Sequence, residues 1–240
     1  MSNWQLVNPV RQLSSNQVGR DFVVGDLHGS LVQLEEALSS LRFNIEHDRL
    51  LSVGDLVDRG PASRALIDWL DLPWFFACVG NHEAVLLDYM STRDSELATT
   101  WRRFGGAWFF ELNEAEQSAV AAKIMQHCSY AIEVLNPQAE VAYGIVHADV
   151  PRGLSWQEFC EQVSHNPEVK YDALWSRARG RGDASHAIEG VEQVICGHEI
   201  VAKAHQQGNV WLLDTGAYRS THGAGKLSVL ELPGRLHTFG

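Results

Sequence analysis

Phe22-Val23-Val24-Gly25-Asp26-Leu27-His28-Gly29 is an apolar run that stops at a glycine and then offers a carboxylate and an imidazole two residues apart. The run reads as a buried strand, and the flanking glycines let the backbone turn sharply at its end. Leu31, Leu34, Leu38 and Leu41 follow at helical spacing. The same pattern then recurs. Leu50-Leu51-Ser52-Val53 runs into Gly54-Asp55, and Pro61 opens a segment with Ala65, Leu66, Trp69 and Leu70 on a helical stripe. A third strand, Trp74 to Val79, ends at Gly80-Asn81. Three strand–loop–helix units in succession predict an α/β fold with a parallel-type sheet.

Outward from this core, residues 86–128 read as a helical insertion, broken at Phe104-Gly105-Gly106-Ala107-Trp108. Strand patterns return at Tyr130–Leu135, Val141–Val146, Gln193–Cys196, Val210–Leu213 and Leu227–Leu232. Neither a repeat nor a linker-like segment interrupts the chain, so residues 1–240 are expected to form one domain. Hydrophobic residues make up 45% and charged residues 20% of the 240, which excludes disordered and collagenous classes. The net charge of −11 argues against a nucleic-acid partner, because phosphate backbones recruit basic surfaces. No apolar run is long enough to span a bilayer, and the start, Met1-Ser2-Asn3-Trp4-Gln5, lacks a signal pattern. With four cysteines and no CxxC pair, a reduced cytoplasmic protein without a membrane association is expected.

The chemistry is concentrated where strands end. Asp26 and His28, Asp55 within Gly54-Asp55-Leu56-Val57-Asp58-Arg59-Gly60, Asn81 and His82 within Gly80-Asn81-His82-Glu83, His147 after Val146, and His198 after Gly197 all occupy such positions. Ligands of open α/β sheets gather outside the carboxyl ends of strands. Taken singly, these residues have plainer readings. Asp26 could cap a turn, Asn81 could cap a helix with Glu83 in its first turn, and each histidine could be a hydrogen-bonded core residue. Their joint recurrence outweighs those readings. Carboxylate, imidazole and one amide oxygen without thiolate suit Mn²⁺, Fe or Zn²⁺. The donors exceed what one ion needs, so two ions sharing a carboxylate are expected, ~3.5–4 Å apart, clamping a phosphoryl oxygen and activating water.

The ordered set GDLHG, GDLVDRG, GNHE, a later strand-end histidine and Gly197-His198-Glu199 resembles the metallophosphoesterase fold, and more narrowly the PPP family of serine/threonine protein phosphatases in its small bacterial and phage branch. The resemblance runs from about Phe22 to Leu232. It implies a central β-sandwich of mixed sheets flanked by helices. It also implies two divalent ions, with Mn²⁺ expected and Fe or Zn²⁺ as alternatives. Asp26 and His28 would hold one ion, Asp55 would bridge, and Asn81, His147 and His198 would hold the other. His82 matches the general acid, Asp58 its orienting carboxylate, and Arg59 and Arg177 the phosphate-gripping pair, with Arg179 able to substitute for Arg177. Asp149 and Asp214 match outer supporting positions.

The implied function is a metal-dependent phosphomonoesterase acting on phosphoproteins or phosphopeptides, serine/threonine-directed with dual specificity left open. The chain stops at Gly240 soon after its last strand, so no obligatory regulatory subunit is expected. The alternative within the fold is a diadenosine tetraphosphate hydrolase, whose members resemble GDLVARG and GNHD. Here Asp58 and Glu83 stand at the differing positions, which favours the phosphomonoesterase. A metal-free scaffold would lack ligands, and here every ligand position is filled.

Overall fold

The computed structural model describes residues 4–240, apart from the side chains of residues 220–222. The first half runs β1 (Val10–Leu13), β2 (Asp21–Val24), α1 (Leu31–Ser40), β3 (Arg49–Ser52), α2 (Ser63–Trp69), β4 (Phe75–Cys78), α3 (Asn81–Thr92) and α4 (Ser95–Arg103). A 3-10 turn at Gly106–Glu111 leads to α5 (Glu114–His127), β5 (Cys128–Ser129), β6 (Ala131–Leu135) and β7 (Val141–Val146). The chain closes with α6 (Trp156–Gln162), α7 (Pro167–Trp175), β8 (Gln193–Cys196), β9 (His205–Gln207), β10 (Val210–Leu212), β11 (Leu227–Glu231) and β12 (Arg235–Phe239).

Two six-stranded sheets result, ordered β1-β6-β7-β8-β10-β9 and β12-β11-β2-β3-β4-β5. Both are mixed. β2, β3 and β4 pair in parallel, as do β7, β8 and β10, while β11 joins β2 and β6 joins β7 antiparallel. Alternate residues of the central strands supply two different cores. Val23, Leu51, Cys78, Ile132, Val134, Ile145, Ile195 and Leu230 form one cluster between the sheets. Their neighbours Phe22, Val24, Leu50, Ala77, Val146, Val194 and Val229 belong to a second, larger cluster that includes the helix residues Leu34, Leu66, Leu87 and Phe159. Strands buried on both faces must be apolar at every position, which is why these segments read as continuous runs.

The sequence reading missed β1, β5, β9 and β12, and all four are edge strands. An edge strand meets a neighbour on one side only and tolerates polar residues. His205-Gln206-Gln207 and Arg235-Leu236-His237-Thr238-Phe239 show it. One helix start also differs. α2 begins at Ser63, two residues beyond Pro61, and the Ser63 hydroxyl accepts the Asp58 amide at 2.9 Å.

Because β2, β3, β4, β7 and β8 end at the same rim, the loops Gly25–Gly29, Gly54–Gly60, Gly80–Glu83, His147–Asp149 and Gly197–Glu199 are brought together. Gly80 is required by this convergence, since a Cβ there would collide with the Asp55 carboxylate and amide. Gly80→Ala is therefore expected to lower unfolding free energy by about 1–3 kcal/mol, read by denaturant titration. Gly234→Ala, at a turn with nothing near the added carbon, should be close to neutral.

Candidate metal centre and phosphate site

Asp55 lies at the middle of the converged loops and is buried. Its Oδ2 faces His28 Nε2 at 3.4 Å, and its Oδ1 faces His147 Nε2 at 3.5 Å. The two oxygens thus address two different donor groups. One is His28, Asp55 and His82, the other Asp55, His147 and His198, and the donor atoms within each group lie within 4.8 Å of one another. Asn81 Oδ1 adds to the second group, 3.0 Å from His147 Nε2 and 2.9 Å from His198 Nδ1. Asp26 is buried beside these groups, where both its oxygens accept the His198 amide at 3.0 and 3.2 Å.

Second interactions fix which atoms face inward. His28 Nδ1 donates to the Val57 carbonyl at 2.8 Å and His147 Nδ1 to the Val53 carbonyl at 3.0 Å. A carbonyl only accepts, so Nδ1 carries the proton and Nε2 presents a bare lone pair. Burial reinforces this state. It lowers the pKa of His28 to about 3, against the pull of Asp55, and lowers that of His147. Burial and the neighbouring His147 likewise bring His198 to about 3. Near Asn81 the lone pair of His147 Nε2 meets that of Asn81 Oδ1, which a cation between them would satisfy. On the other side the facing charge is that of Arg59, whose fork donates to His28 Nε2 at 2.8 Å and His82 Nε2 at 3.0 Å.

Buried carboxylates add to the demand for positive charge. Burial, then Asp214 and Asp55, push the Asp26 pKa well above the usual range. Burial raises Asp214 to about 6. Asp55 goes the other way. Burial opposes its ionisation, yet its pKa is lowered, because any proton taken up by the facing imidazoles His147, His82 or His28 is drawn to its charge. The donor set of carboxylates, neutral imidazoles and one amide oxygen fits a pair of divalent cations.

Beside this centre, His82 Nδ1 donates to Asp58 Oδ2 at 2.6 Å. Burial works to lower the His82 pKa, yet Asp55 and Asp58 together raise it. Arg59 is exposed and lies over the Tyr218 ring at 4.8 Å. The two later arginines are separated by their surroundings. Arg179 is buried, with its Nε on Asp149 at 3.1 Å and its Nη1 on the His186 carbonyl at 3.1 Å. Arg177 is exposed and pairs with Glu199. The structure thus gathers Asp26, His28, Asp55, Asp58, Arg59, Asn81, His82, His147 and His198. It leaves Arg177 at the margin and commits Arg179 to Asp149.

The backbone carries a matching signature. Among the described residues eight non-glycines have positive φ, and five of them are His28, Asp55, Asp58, Arg59 and His198. Such strain persists only where surrounding structure enforces it, and it clusters at functional sites. Part of the enforcement is Glu83, whose carboxylate accepts the amides of Asp55, Leu56, Val57 and Gly80 at 2.8–3.1 Å. Sequence reasoning saw in Glu83 a helix-start acid and a family-discriminating position, not a clamp on the Asp55 loop. It gave no site role to Trp101 or Trp108, whose indoles donate to Asp58, or to Tyr218, whose ring meets His28 edge-on. Separations of 43 and 50 residues hide the tryptophan contacts from any local pattern.

Comparison with known proteins agrees with this geometry. The calcineurin-like phosphoesterase family model matches residues 22–202. Serine/threonine-protein phosphatase 2 of Escherichia coli is 31% identical over 227 residues, covering 92% of this chain and 97% of that protein. A symmetrical bis(5'-nucleosyl)-tetraphosphatase of Pseudomonas syringae is 47% identical over only 68 residues, 28% of this chain and 23% of that protein. Among solved structures, a protein serine/threonine phosphatase from Saccharomyces cerevisiae superposes with a TM-score of 0.65 at 16% identity, covering 96% of this chain and 83% of that one. The match across three quarters of the chain, with the paired donor groups around Asp55, shows that the protein belongs to the calcineurin-like metallophosphoesterase family.

Proposed function

We propose that this protein is a phosphomonoesterase acting on phosphorylated serine or threonine side chains, with phosphotyrosine as a further substrate. The observation that carries this reading is the His82–Asp58 pair set beside Asp55 and the Arg59 fork. A serine or threonine alkoxide leaves poorly at neutral pH, so its departure gains most from a positioned proton donor. Asp58 holds Nδ1 of His82, which leaves Nε2 to deliver the proton. In the substrate complex Arg59 turns its fork from the imidazoles to the phosphoryl oxygens, which its planar geometry fits in pairs. Arg177 supplies a second guanidinium once it leaves Glu199. Hydrolysis consumes one water, breaks the phosphorus–oxygen ester bond and releases alcohol and phosphate.

Asp26, His28 and Asp55 would hold one divalent ion, and Asp55, Asn81, His147 and His198 the other, with Mn²⁺ the expected metal and Fe or Zn²⁺ the alternatives. When bound, the ions would neutralise phosphoryl charge and lower the pKa of the attacking water. The substrates would be phosphoproteins or phosphopeptides, met without an obligatory regulatory subunit and without nucleic acid or membrane. All four cysteines are free, which suits the cytoplasm. Among the described residues no helix is long and apolar enough to cross a membrane. The name and near-complete span of the Escherichia coli relative support the protein-phosphatase reading. The short likeness to the symmetrical tetraphosphatase supports a second one, cleavage of dinucleoside tetraphosphates.

A substrate panel separates the two. With Mn²⁺ supplied, phosphoserine peptide and p-nitrophenyl phosphate are expected to turn over and diadenosine tetraphosphate to be a poor substrate. The reverse ranking would establish the second reading. In the same panel His82→Asn should reduce kcat on the phosphoserine peptide by about 10²–10⁴-fold and on the aryl ester far less. Asp55→Asn is expected to abolish activity and to lose tight binding of both ions in a calorimetric Mn²⁺ titration. The two arginines should part company. Arg177→Ala should cut kcat/KM by about 10²-fold with an unchanged melting curve. Arg179→Ala leaves Asp149 buried without its partner and should cost about 3–5 kcal/mol of stability.

A further inference from the structure

Asp58 is wholly buried, and its carboxylate receives three side-chain donors. His82 Nδ1 and Trp101 Nε1 both donate to Oδ2 at 2.6 Å, and Trp108 Nε1 donates to Oδ1 at 2.7 Å. Neither indole belongs to a strand-end loop. Trp101 is in the last turn of α4 and Trp108 is in the 3-10 turn that follows it. Between them Gly105, at φ 108°, packs so closely on Arg59 that a Cβ would strike the Arg59 backbone. The helical segment is therefore seated against the Asp58–Arg59 turn and reaches through it to the carboxylate.

The chemistry of the three donors is unequal. An indole N–H can only donate, and it sits on a rigid ring with two rotatable bonds. With His82 alone, the carboxylate could rotate about its own axis and carry the imidazole plane with it. With an indole on each oxygen, both oxygens are fixed, and so is the direction in which Nδ1 must point. Rigid neighbours of this kind turn a side chain that is merely present into one held at a productive angle.

We infer that Trp101 and Trp108 are positioning residues for proton delivery. They lock the Asp58 carboxylate, Asp58 locks the His82 ring, and Nε2 of His82 is thereby aimed at the leaving oxygen. The inference rests on the reading of His82 as the proton donor. It gives the helical segment a task that hydrophobic packing alone does not, since either ring could be phenylalanine if only burial mattered. The effect falls on substrates whose leaving group needs a proton.

Trp101→Phe and Trp108→Phe keep an aromatic ring and remove the N–H. Both are assayed beside His82→Asn, with Mn²⁺, on phosphoserine peptide and p-nitrophenyl phosphate. Each is expected to lower kcat on the peptide by about 10-fold or more, to change the aryl ester by less than about 3-fold, and to leave KM in place. Added to His82→Asn, neither should cost anything further on the peptide. Equal losses on both esters, with His82→Asn still selective for the peptide, would overturn the inference and leave the role of His82 standing. Equal losses for His82→Asn itself would remove that role and the inference with it. A second measurement needs neither metal nor turnover. In the ¹H–¹⁵N spectrum of the metal-free protein, two of the eight indole resonances are expected far downfield and should move on Asp58→Asn. Indole resonances unmoved by that change would show that the contacts are absent.

Discussion

A buried carboxylate that faces imidazoles on both sides is the constraint on which the site depends. Asp55 is buried, has a left-handed backbone, and divides its oxygens between the His28 and His147 sides. Burying such a charge costs several kcal/mol unless it is paired. Asp26, Asp214 and Glu83 are buried close by, and burial raises the pKa of all three. His28 and His147, which face Asp55, are held with their protons turned outward onto backbone carbonyls, so they offer lone pairs. A pocket of this composition is unfavourable by itself and becomes favourable when it encloses positive charge.

The two sheets make that arrangement affordable. Their shared core fixes β2, β3, β4, β7 and β8 to within the tolerance of close packing, and the loops leave them at one rim. Backbone strain at His28, Asp55, Asp58, Arg59 and His198 is then enforced from outside. Glu83 collects four amides from two loops, and Gly80 and Gly105 allow backbones to touch where a side chain would separate them. The site is held tightly where donors converge, while Arg177 stands exposed at its margin.

The pair Arg177 and Arg179 illustrates how context assigns roles to like residues. Two positions apart and chemically identical, they differ in burial and partner. Arg179 neutralises Asp149 and ties the loop after α7 to the strand-end segment that begins at His147. Arg177, on the same loop, faces solvent and a carboxylate it can release. A motif reading alone could not choose between them, because spacing of two in an irregular loop does not define which side chain points inward.

The sequence by itself determined the central strands, the helices of the first half and the strand-end donors, but not α6 and α7. Strands buried on both faces are continuous apolar runs, and glycine followed by Asp, Asn or His marks where each run meets its loop. It left out the edge strands, since a half-exposed strand has no hydrophobic signature. It also left out Glu83 as a clamp, Tyr218 beside His28, and the two indoles on Asp58. Those depend on segments distant in the chain being packed together, and hydrogen-bond direction is settled only when both partners have fixed orientations. Tertiary structure decided which arginine faces solvent, which oxygen of Asp55 faces which histidine, and how the helical segment meets the Asp58–Arg59 turn.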